Sequence, residues 1–203
     1  MLTGTLFIIA APSGAGKTTL VRALVQSLRD IRVSVSHTTR PRRPREVEGV
    51  NYHFVNDEEF NRLVDEEVML EHAHVFGHHY GTSGRWVAEE LAAGIDVILE
   101  IDWQGAKQVK ERFPRCVSIF ILPPSLEALR ERLTKRAEDD PEVIAARMAQ
   151  AKAEISHYAE FDYLVINRYF RTALRDLTTI VCAERLRQKH QQERHKDLIE
   201  HLF

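Results

Sequence analysis

Nine residues near the start of the chain have the types and the spacing of a loop that binds phosphate groups. Gly14 and Gly16 lack a Cβ, so the backbone can turn its N–H groups inward around phosphate oxygens. Lys17 is placed to reach the β- and γ-phosphates of a nucleoside triphosphate, and the Thr18 hydroxyl is placed to bind Mg²⁺. The residues assigned to this loop are Ala11, Pro12, Ser13, Gly14, Ala15, Gly16, Lys17, Thr18 and Thr19.

The segments on both sides of the loop predict the strand and the helix that must position it. Residues 6–10 are an apolar run typical of a buried strand, and Leu20, Leu24 and Leu28 recur at helical spacing behind the loop. The N-terminus of that helix adds the positive end of its dipole to the site. Ala11 stands where the strict pattern has Gly, and we expect this smallest replacement to be tolerated. This context favours a nucleotide site over an ordinary strand-turn-helix.

Length and composition indicate a globular protein with one sizeable core. The chain has 203 residues, of which 44% are hydrophobic and 29% charged, and its formal net charge is −2. This balance does not indicate a general nucleic-acid-binding surface, and no apolar stretch reaches the length of a membrane span. Cys116 and Cys182 are far apart and lack metal-like or redox-like spacing. Because the N-terminus also lacks a secretory pattern, we expect a cytoplasmic location.

Predicted strands and helices alternate along most of the chain. Alternation with apolar strands predicts an α/β fold: a parallel sheet with helices on both faces and ligands at the carboxyl ends of the strands. Between about residues 33 and 82, predicted strands crowd around a single helix that begins near Asn56 or Asp57. This indicates a small inserted subdomain with a mixed sheet, and its first strand is expected over residues 33–37. The charged tail, residues 187–203, is expected to be a solvated helix whose apolar end could dock on another subunit.

A second concentration of cations lies in the inserted region. Residues 38–45 contain four arginines, and Pro41 and Pro44 keep this loop out of a helix. In a slightly acidic chain, guanidinium groups fixed in this way suggest a second anion site. An exposed basic loop paired with nearby carboxylates is the alternative. The position of the loop at a strand end favours the anion site.

The spacing of this loop and of the residues after it resembles the signature of the guanylate kinase family. The matching pattern is Thr38-Thr-Arg-x-x-Arg43-x-x-Glu46-x-x-Gly49-x-x-Tyr52-x-Phe54-Val. It is far more specific than the phosphate-binding loop alone. The similarity continues through residues 70–73, 80–82, 101–105, 120–124 and 165–167, so it covers the chain to about residue 186, and its details look bacterial.

The resemblance implies that the inserted subdomain, about residues 33–82, binds GMP. Arg40, Arg43, Tyr52 and Tyr80 would hold its phosphate. Glu71 would accept hydrogen bonds from guanine N1–H and the 2-amino group, whereas adenine offers a lone pair at N1 and no 2-amino group. The further residues implied for the GMP site are Ser36 and Thr82 near O6 and N7, together with Gly81, Glu100 and Asp102.

On the donor side the resemblance implies MgATP and a mobile lid over about residues 134–148. Lid arginines would offset charge on the transferring phosphoryl group, and Asn167 would lie near adenine. Glu100 and Asp102 would face the phosphates and Mg²⁺, mostly through water. Arg132 could simply be a charge on the helix surface. The residues that would carry catalysis are Lys17, Arg40, Arg43, Asp102, Arg136 and Arg147.

The expected reaction is transfer of the γ-phosphoryl group of MgATP to GMP or dGMP, within a guanylate kinase-like domain over residues 1–186. Its core would be about residues 1–32 and 83–186. The expected partners are these small molecules, without nucleic acid or membrane, and the oligomeric state stays open. One alternative is an inactive interaction domain of the same family, but such domains usually lack the intact loop kept here. Another is a P-loop ATPase with a different acceptor, which Arg40, Arg43, Tyr52 and Glu71 oppose.

Four histidines between residues 72 and 79 invite an interpretation as a zinc site. In an extended segment, His72, His74 and His78 could share one face. However, no cysteine or close set of carboxylates completes a tetrahedral site. Metal binding by this cluster is therefore not expected.

Overall fold

Two sheets, one large and one small, organise the fold. The structure is a computed structural model that describes residues 4–75, 77–136 and 141–203, without the side chains of residues 135, 136, 141 and 142. In chain order, the strands of the described part are β1 (Leu6–Ala10), β2 (Ile31–Val33), β3 (His37–Thr38), β4 (His53–Phe54), β5 (Met69–Val75), β6 (His78–Ser83), β7 (Asp96–Leu99), β8 (Val117–Leu122) and β9 (Tyr163–Ile166).

Along the chain, most of the helices alternate with the strands of the large sheet. They are α1 (Lys17–Ser27), α2 (Asp57–Asp65), α3 (Gly84–Ala92), α4 (Trp103–Arg112), α5 (Leu126–Arg136), α6 (Pro141–Ile155), α7 (Phe170–Arg185), α8 (Gln188–Arg194) and α9 (Lys196–Glu200). The last two form the tail, have no buried residues and leave Leu198 and Leu202 exposed. Among the described helices, none combines the length and the apolar character needed to cross a membrane.

The large sheet is parallel, with the strand order β2-β7-β1-β8-β9. Its central strand β1 is wholly buried. Phe7 and Ile9 face a core that includes residues of α1 and α7, whereas Leu6 and Ile8 face a core that includes residues of α3 and α4. The predicted parallel sheet with helices on both faces is confirmed, and its apolar strands follow from burial on both sides.

The small sheet has the order β4-β3-β6-β5 and mixes one parallel with two antiparallel pairings. The mixed sheet and the helix after Asn56 are confirmed, and the Asn56 side chain accepts a hydrogen bond from Glu59 N at 2.7 Å. The single strand expected over residues 33–37 is wrong. Val33 ends a strand of the large sheet, and His37 begins one of the small sheet. The residues between them cross from one sheet to the other, which alternation of apolar and polar residues does not reveal.

The histidines of β5 and β6 pack within the small subdomain. His74 lies opposite His79 in the pairing of these strands, which places His78 on the other face from His72 and His74. The expected shared face is therefore wrong. The His79 ring stacks on Phe60 of α2 with 5.3 Å between ring centroids. In the described part of the chain, no three His, Cys, Asp or Glu side chains are grouped so that they could hold a metal ion.

Candidate active site

The loop between β1 and α1 has the backbone geometry of an anion-binding turn. Gly14 and Gly16 have φ angles of 86° and 94°, in the left-handed region that favours glycine. Ala15 N donates to Pro12 O at 3.0 Å, which closes the turn. Because α1 begins at Lys17, the amide groups of its first turn point toward the loop. Backbone donors, a helix N-terminus and a lysine therefore meet at the carboxyl end of β1.

Two side chains from distant elements hold this loop in shape. Asn167, directly after β9, donates from Nδ2 to Ala15 O at 2.7 Å. Arg132 of α5 donates to Ala15 O at 3.3 Å and to Asn167 O at 3.1 Å. The interpretation of Arg132 as a simple surface charge is therefore wrong. A helical signal for it exists in the sequence, because residues 129, 132 and 133 share the side of α5 that carries the buried leucines.

Several oxygen atoms of side chains and backbone lie beside the loop, just after the end of β7. Thr18 Oγ1 donates to Glu100 Oε2 at 3.1 Å, and Lys17 Nζ donates to Ile101 O at 3.4 Å. Asp102 caps α4 by accepting from Gly105 N at 2.9 Å. A hydroxyl group and carboxylates form the donor set that Mg²⁺ prefers. These residues therefore fit a magnesium ion bound together with nucleotide phosphates.

An arginine and two tyrosines of the small subdomain lie together where the sequence predicts a second anion site. The Arg40 guanidinium lies 5.4 Å from the Tyr52 ring centroid, and the Tyr52 and Tyr80 rings are 5.9 Å apart. Arg40 Nη2 donates to Glu46 Oε1 at 2.7 Å, and Arg43 N donates to Glu46 Oε2 at 2.9 Å. Glu46 thus holds the Arg40 side chain and the Arg43 backbone. The Glu46 residue belongs to the sequence pattern above, but the pattern alone gives it no role.

Arg40 is half-buried, whereas the Arg43 side chain is exposed. Of the four residues predicted to hold a phosphate, the structure therefore groups Arg40, Tyr52 and Tyr80 closely and leaves Arg43 at the rim. A guanidinium at the rim is available to a ligand from solvent. A half-buried Arg40 together with an exposed Arg43 would suit an anion that enters from solvent.

Glu71 is the buried acid of the small subdomain and is only 3% exposed. It lies opposite Thr82 in the pairing of β5 and β6, and Thr82 Oγ1 is 3.4 Å from Ser36 Oγ. A Cβ on Gly105 of α4 would lie 2.5 Å from Glu71 Oε2, so a side chain there would displace the Glu71 carboxyl group. Two hydroxyl groups and a carboxyl group therefore lie side by side.

Burial raises the pKa of Glu71 from 4.5 to about 7. The negative charge of Asp102 adds to this rise, while a hydrogen bond from Thr82 and the charge of Lys17 oppose it. The carboxyl group thus lacks enough donors to stabilise its charge fully. A ligand that offers two N–H groups would supply them.

Two more of the predicted residues lie in β6 and α6. Gly81 is buried in β6, where a Cβ would lie 3.1 Å from the Glu71 carbonyl oxygen. Arg147 is half-buried on α6. The side chain of Arg136, and residues 137–140 of the predicted lid, lie outside the described part of the chain.

A parallel sheet with a phosphate-binding loop after its central strand, joined to a small mixed sheet, is the fold of P-loop nucleoside monophosphate kinases. A family model described as guanylate kinase matches residues 3–184. A guanylate kinase of Saccharophagus degradans is 59% identical over 201 residues, which cover 99% of this chain and 98% of that protein. The chain belongs to the guanylate kinase family, which confirms the resemblance seen in its sequence.

Further relatives agree with this family. A guanylate kinase of Escherichia coli strain K12 is 56% identical over 205 residues, covering 100% of this chain and 99% of that protein. The crystal structure of a guanylate kinase from Anaplasma phagocytophilum superposes with a TM-score of 0.78 at 34% identity, covering 92% of this chain and 88% of that one. Similarity in sequence and in fold therefore extends over nearly the whole chain.

Proposed function

We propose that the protein transfers the γ-phosphoryl group of MgATP to GMP or dGMP, giving ADP and GDP in purine nucleotide metabolism. The observation that carries this proposal is the adjacency of two sites. Lys17 of the phosphate-binding loop and Asp102 both act electrostatically on the buried Glu71 carboxyl of the small subdomain. A triphosphate held by the loop would therefore lie close to a GMP molecule whose base is held by Glu71. The full-length similarity to named guanylate kinases supports the same reaction.

GMP would be recognised at both of its ends. Glu71 accepts hydrogen bonds from guanine N1–H and the 2-amino group, while Ser36 and Thr82 offer hydroxyl groups to O6 and N7. Gly81 would contribute through its backbone, since a Cβ there would point toward Met69 and Phe60. The phosphate is held by the side chains of Arg40, Arg43, Tyr52 and Tyr80. A buried carboxylate left without donors is costly, so adenine is rejected.

The phosphate-binding loop, residues 11–19, would hold ATP, with Asn167 near the adenine. Thr18, with Glu100 and Asp102 acting through water, would hold Mg²⁺, which neutralises phosphate charge when bound. The attacking oxygen of GMP belongs to a phosphate that is already negatively charged, so no strong general base is needed. Lys17, Arg40 and Arg43 hold two anions that repel each other in line.

Closure around the two nucleotides would complete the site. Arg136 and Arg147, in a lid over about residues 134–148, offset charge on the transferring phosphoryl group. The subdomain over about residues 33–82 swings toward the core when GMP binds. Both motions exclude water, which would otherwise accept the phosphoryl group. A cytoplasmic location also belongs to the proposal, supported by two cysteines without a disulfide partner in the described chain.

A coupled assay of ADP release tests the reaction against its two alternatives. The protein is supplied with MgATP and, in separate reactions, with GMP, dGMP, AMP, CMP or UMP. Turnover is expected with GMP and dGMP only. Release of ADP at an equal rate without any acceptor would indicate an ATPase. No turnover with any acceptor would indicate an interaction domain.

GMP affinity is expected to fall about tenfold between pH 8 and pH 6, because the Glu71 carboxyl must be ionised to accept the guanine N–H groups. Burial raises the pKa of the free group to about 7. Below that pH the free protein carries a proton on Glu71, and binding must release it. Above pH 8 the group is already ionised, so affinity should level off. Calorimetric titration at several pH values measures the effect.

The matched control for this titration is Glu71→Gln. The GMP phosphate itself titrates with a pKa of about 6, and that contribution is common to both proteins. Only the wild type should show the additional loss of affinity centred on pH 7. Identical pH profiles in the two proteins would show that Glu71 does not titrate on GMP binding.

A further inference from the structure

A carboxylate outside the proposed catalytic and binding residues contacts the phosphate-binding loop directly. Ser13 N in the loop donates to Glu154 Oε2 at 3.2 Å. The other oxygen, Glu154 Oε1, accepts from Gln150 Nε2 at 3.2 Å. Glu154 lies next to the C-terminal end of α6, the helix that starts within the predicted lid segment. This contact therefore joins the C-terminal end of α6 to the phosphate-binding loop, which would hold ATP.

Apolar packing supports the same junction. Ala151 of α6 is buried together with Leu129 and Leu133 of α5, and Met148 and Ile155 pack against them. A Cβ on Gly14 of the loop would lie 3.0 Å from Leu133 Cδ2, so the loop backbone lies close to the buried side of α5. The loop, α5 and the C-terminal half of α6 are thus packed as one unit.

Arg147 and Glu154 share one face of α6. They are seven residues apart, close to two helical turns, and Gln150 lies between them on the same side. At a rise of about 1.5 Å per residue, the Cα of Arg147 is about 10 Å along the helix from that of Glu154. Because the helix is continuous between them, the point at which Glu154 is fixed determines where the Arg147 side chain begins.

We propose that Glu154 is a positioning residue. It fixes the C-terminal end of α6 to the phosphate-binding loop and thereby places Arg147 against the transferring phosphoryl group. This inference rests on the role proposed above for Arg147. The role of Glu154 is that of a hydrogen-bond acceptor for Ser13 N–H. Its negative charge is not the useful property, since a carboxylate beside bound phosphates repels them.

The electrostatic environment agrees with this role. Burial raises the pKa of Glu154, and the charge of Asp102 raises it further, while the hydrogen bonds from Ser13 and Gln150 and the charge of Lys17 oppose the rise. The raised pKa means that the surroundings disfavour the negative charge on balance, although two donors and a nearby cation offset part of that effect. An uncharged acceptor of the same shape should serve equally well.

Steady-state kinetics of four test variants and one control variant test the proposal. Glu154→Ala is expected to lower kcat about 10- to 100-fold with the KM for GMP unchanged, because the loss falls on transition-state contacts. Glu154→Gln should restore kcat to within about threefold of the wild type, since its Oε1 can still accept from Ser13 N–H. Arg147→Ala should lower kcat by more, and Glu154→Ala combined with Arg147→Ala should be no slower than Arg147→Ala alone. Lys152→Ala, at an exposed position of α6, serves as the control and should match the wild type.

Hydrogen exchange gives a readout independent of activity. The Ser13 amide should exchange faster in Glu154→Ala than in the wild type or in Glu154→Gln. Losses in kcat that multiply in the double variant would overturn the proposal, as would an unchanged kcat in Glu154→Ala. If Glu154→Ala does not fold, a slow but folded Glu154→Gln would overturn it equally. Failure of the proposed reaction itself would instead be seen with the wild type, in the assay of acceptor nucleotides.

Discussion

Replacing Lys17 with alanine is expected to lower kcat by about 10³-fold or more, while GMP binding changes by less than about threefold. Lys17 Nζ lies 3.4 Å from Ile101 O, at the edge of the sheet where the phosphates would lie. Its ammonium group would bind charge that develops on the transferring phosphoryl group. The proposed GMP contacts come from other residues, mostly in the small subdomain. The variant should therefore lose turnover while it keeps its affinity for GMP.

The measurement combines turnover assays with calorimetric titration of GMP at pH 8. This pH matters because the Lys17 charge lowers the pKa of Glu71, and its removal lets that pKa rise further. At pH 8 most Glu71 is ionised in the wild type, so this secondary effect on affinity is small. Lys107→Ala is the matched control, since Lys107 is exposed on α4. A Lys17→Ala protein that folds but no longer binds GMP would contradict separate donor and acceptor sites.

Replacing Glu71 with alanine is expected to lower kcat/KM for GMP by about 10²–10⁴-fold, because two hydrogen bonds to a charged group are lost at about 1.5–3 kcal/mol each. The value for AMP should not fall, since adenine makes neither bond. Discrimination between GMP and AMP should therefore shrink by the same factor. Parallel assays of the two nucleotides in wild type and variant give this ratio directly.

Two further variants make the Glu71 result specific. Glu71→Gln keeps the size of the side chain but replaces one acceptor oxygen with a donor, so it should also lose most of the preference for guanine. Glu111→Ala removes an exposed carboxylate of α4 and should leave both nucleotides unaffected. Unchanged discrimination in Glu71→Ala would mean that guanine is selected elsewhere.

The sequence predicts the large sheet well, because its strands are short apolar runs bounded by residues typical of turns and of helix starts. The apolar runs over residues 117–122 and 163–166 coincide with β8 and β9 residue for residue, and Asn56 and Ser125, of residue types favoured just before a helix, each cap one. The failure over residues 33–37 has a clear cause. A strand of three residues and one of two are too short for periodicity to identify, and their partners lie far away in the chain.

The site is predictable where its residues follow one another and hidden where they come from distant segments. The spacing of Gly14, Gly16 and Lys17 is enough to predict the loop. The side chains that hold the loop in shape cannot be predicted in this way, because Glu154 is 141 residues from Ser13 and Arg132 is 117 residues from Ala15. The raised pKa of Glu71 is equally invisible in the sequence, since it depends on burial and on Asp102 in another element.

The most direct measurement is the quantity of each product formed by purified protein supplied with Mg²⁺, ATP and GMP. ADP and GDP should appear in equal amounts, and neither should form at a comparable rate when GMP is left out. ADP formed without an equal amount of GDP would show that water or another acceptor takes the phosphoryl group. That result would contradict transfer between a triphosphate in the glycine-rich loop and a guanine nucleotide held by Glu71.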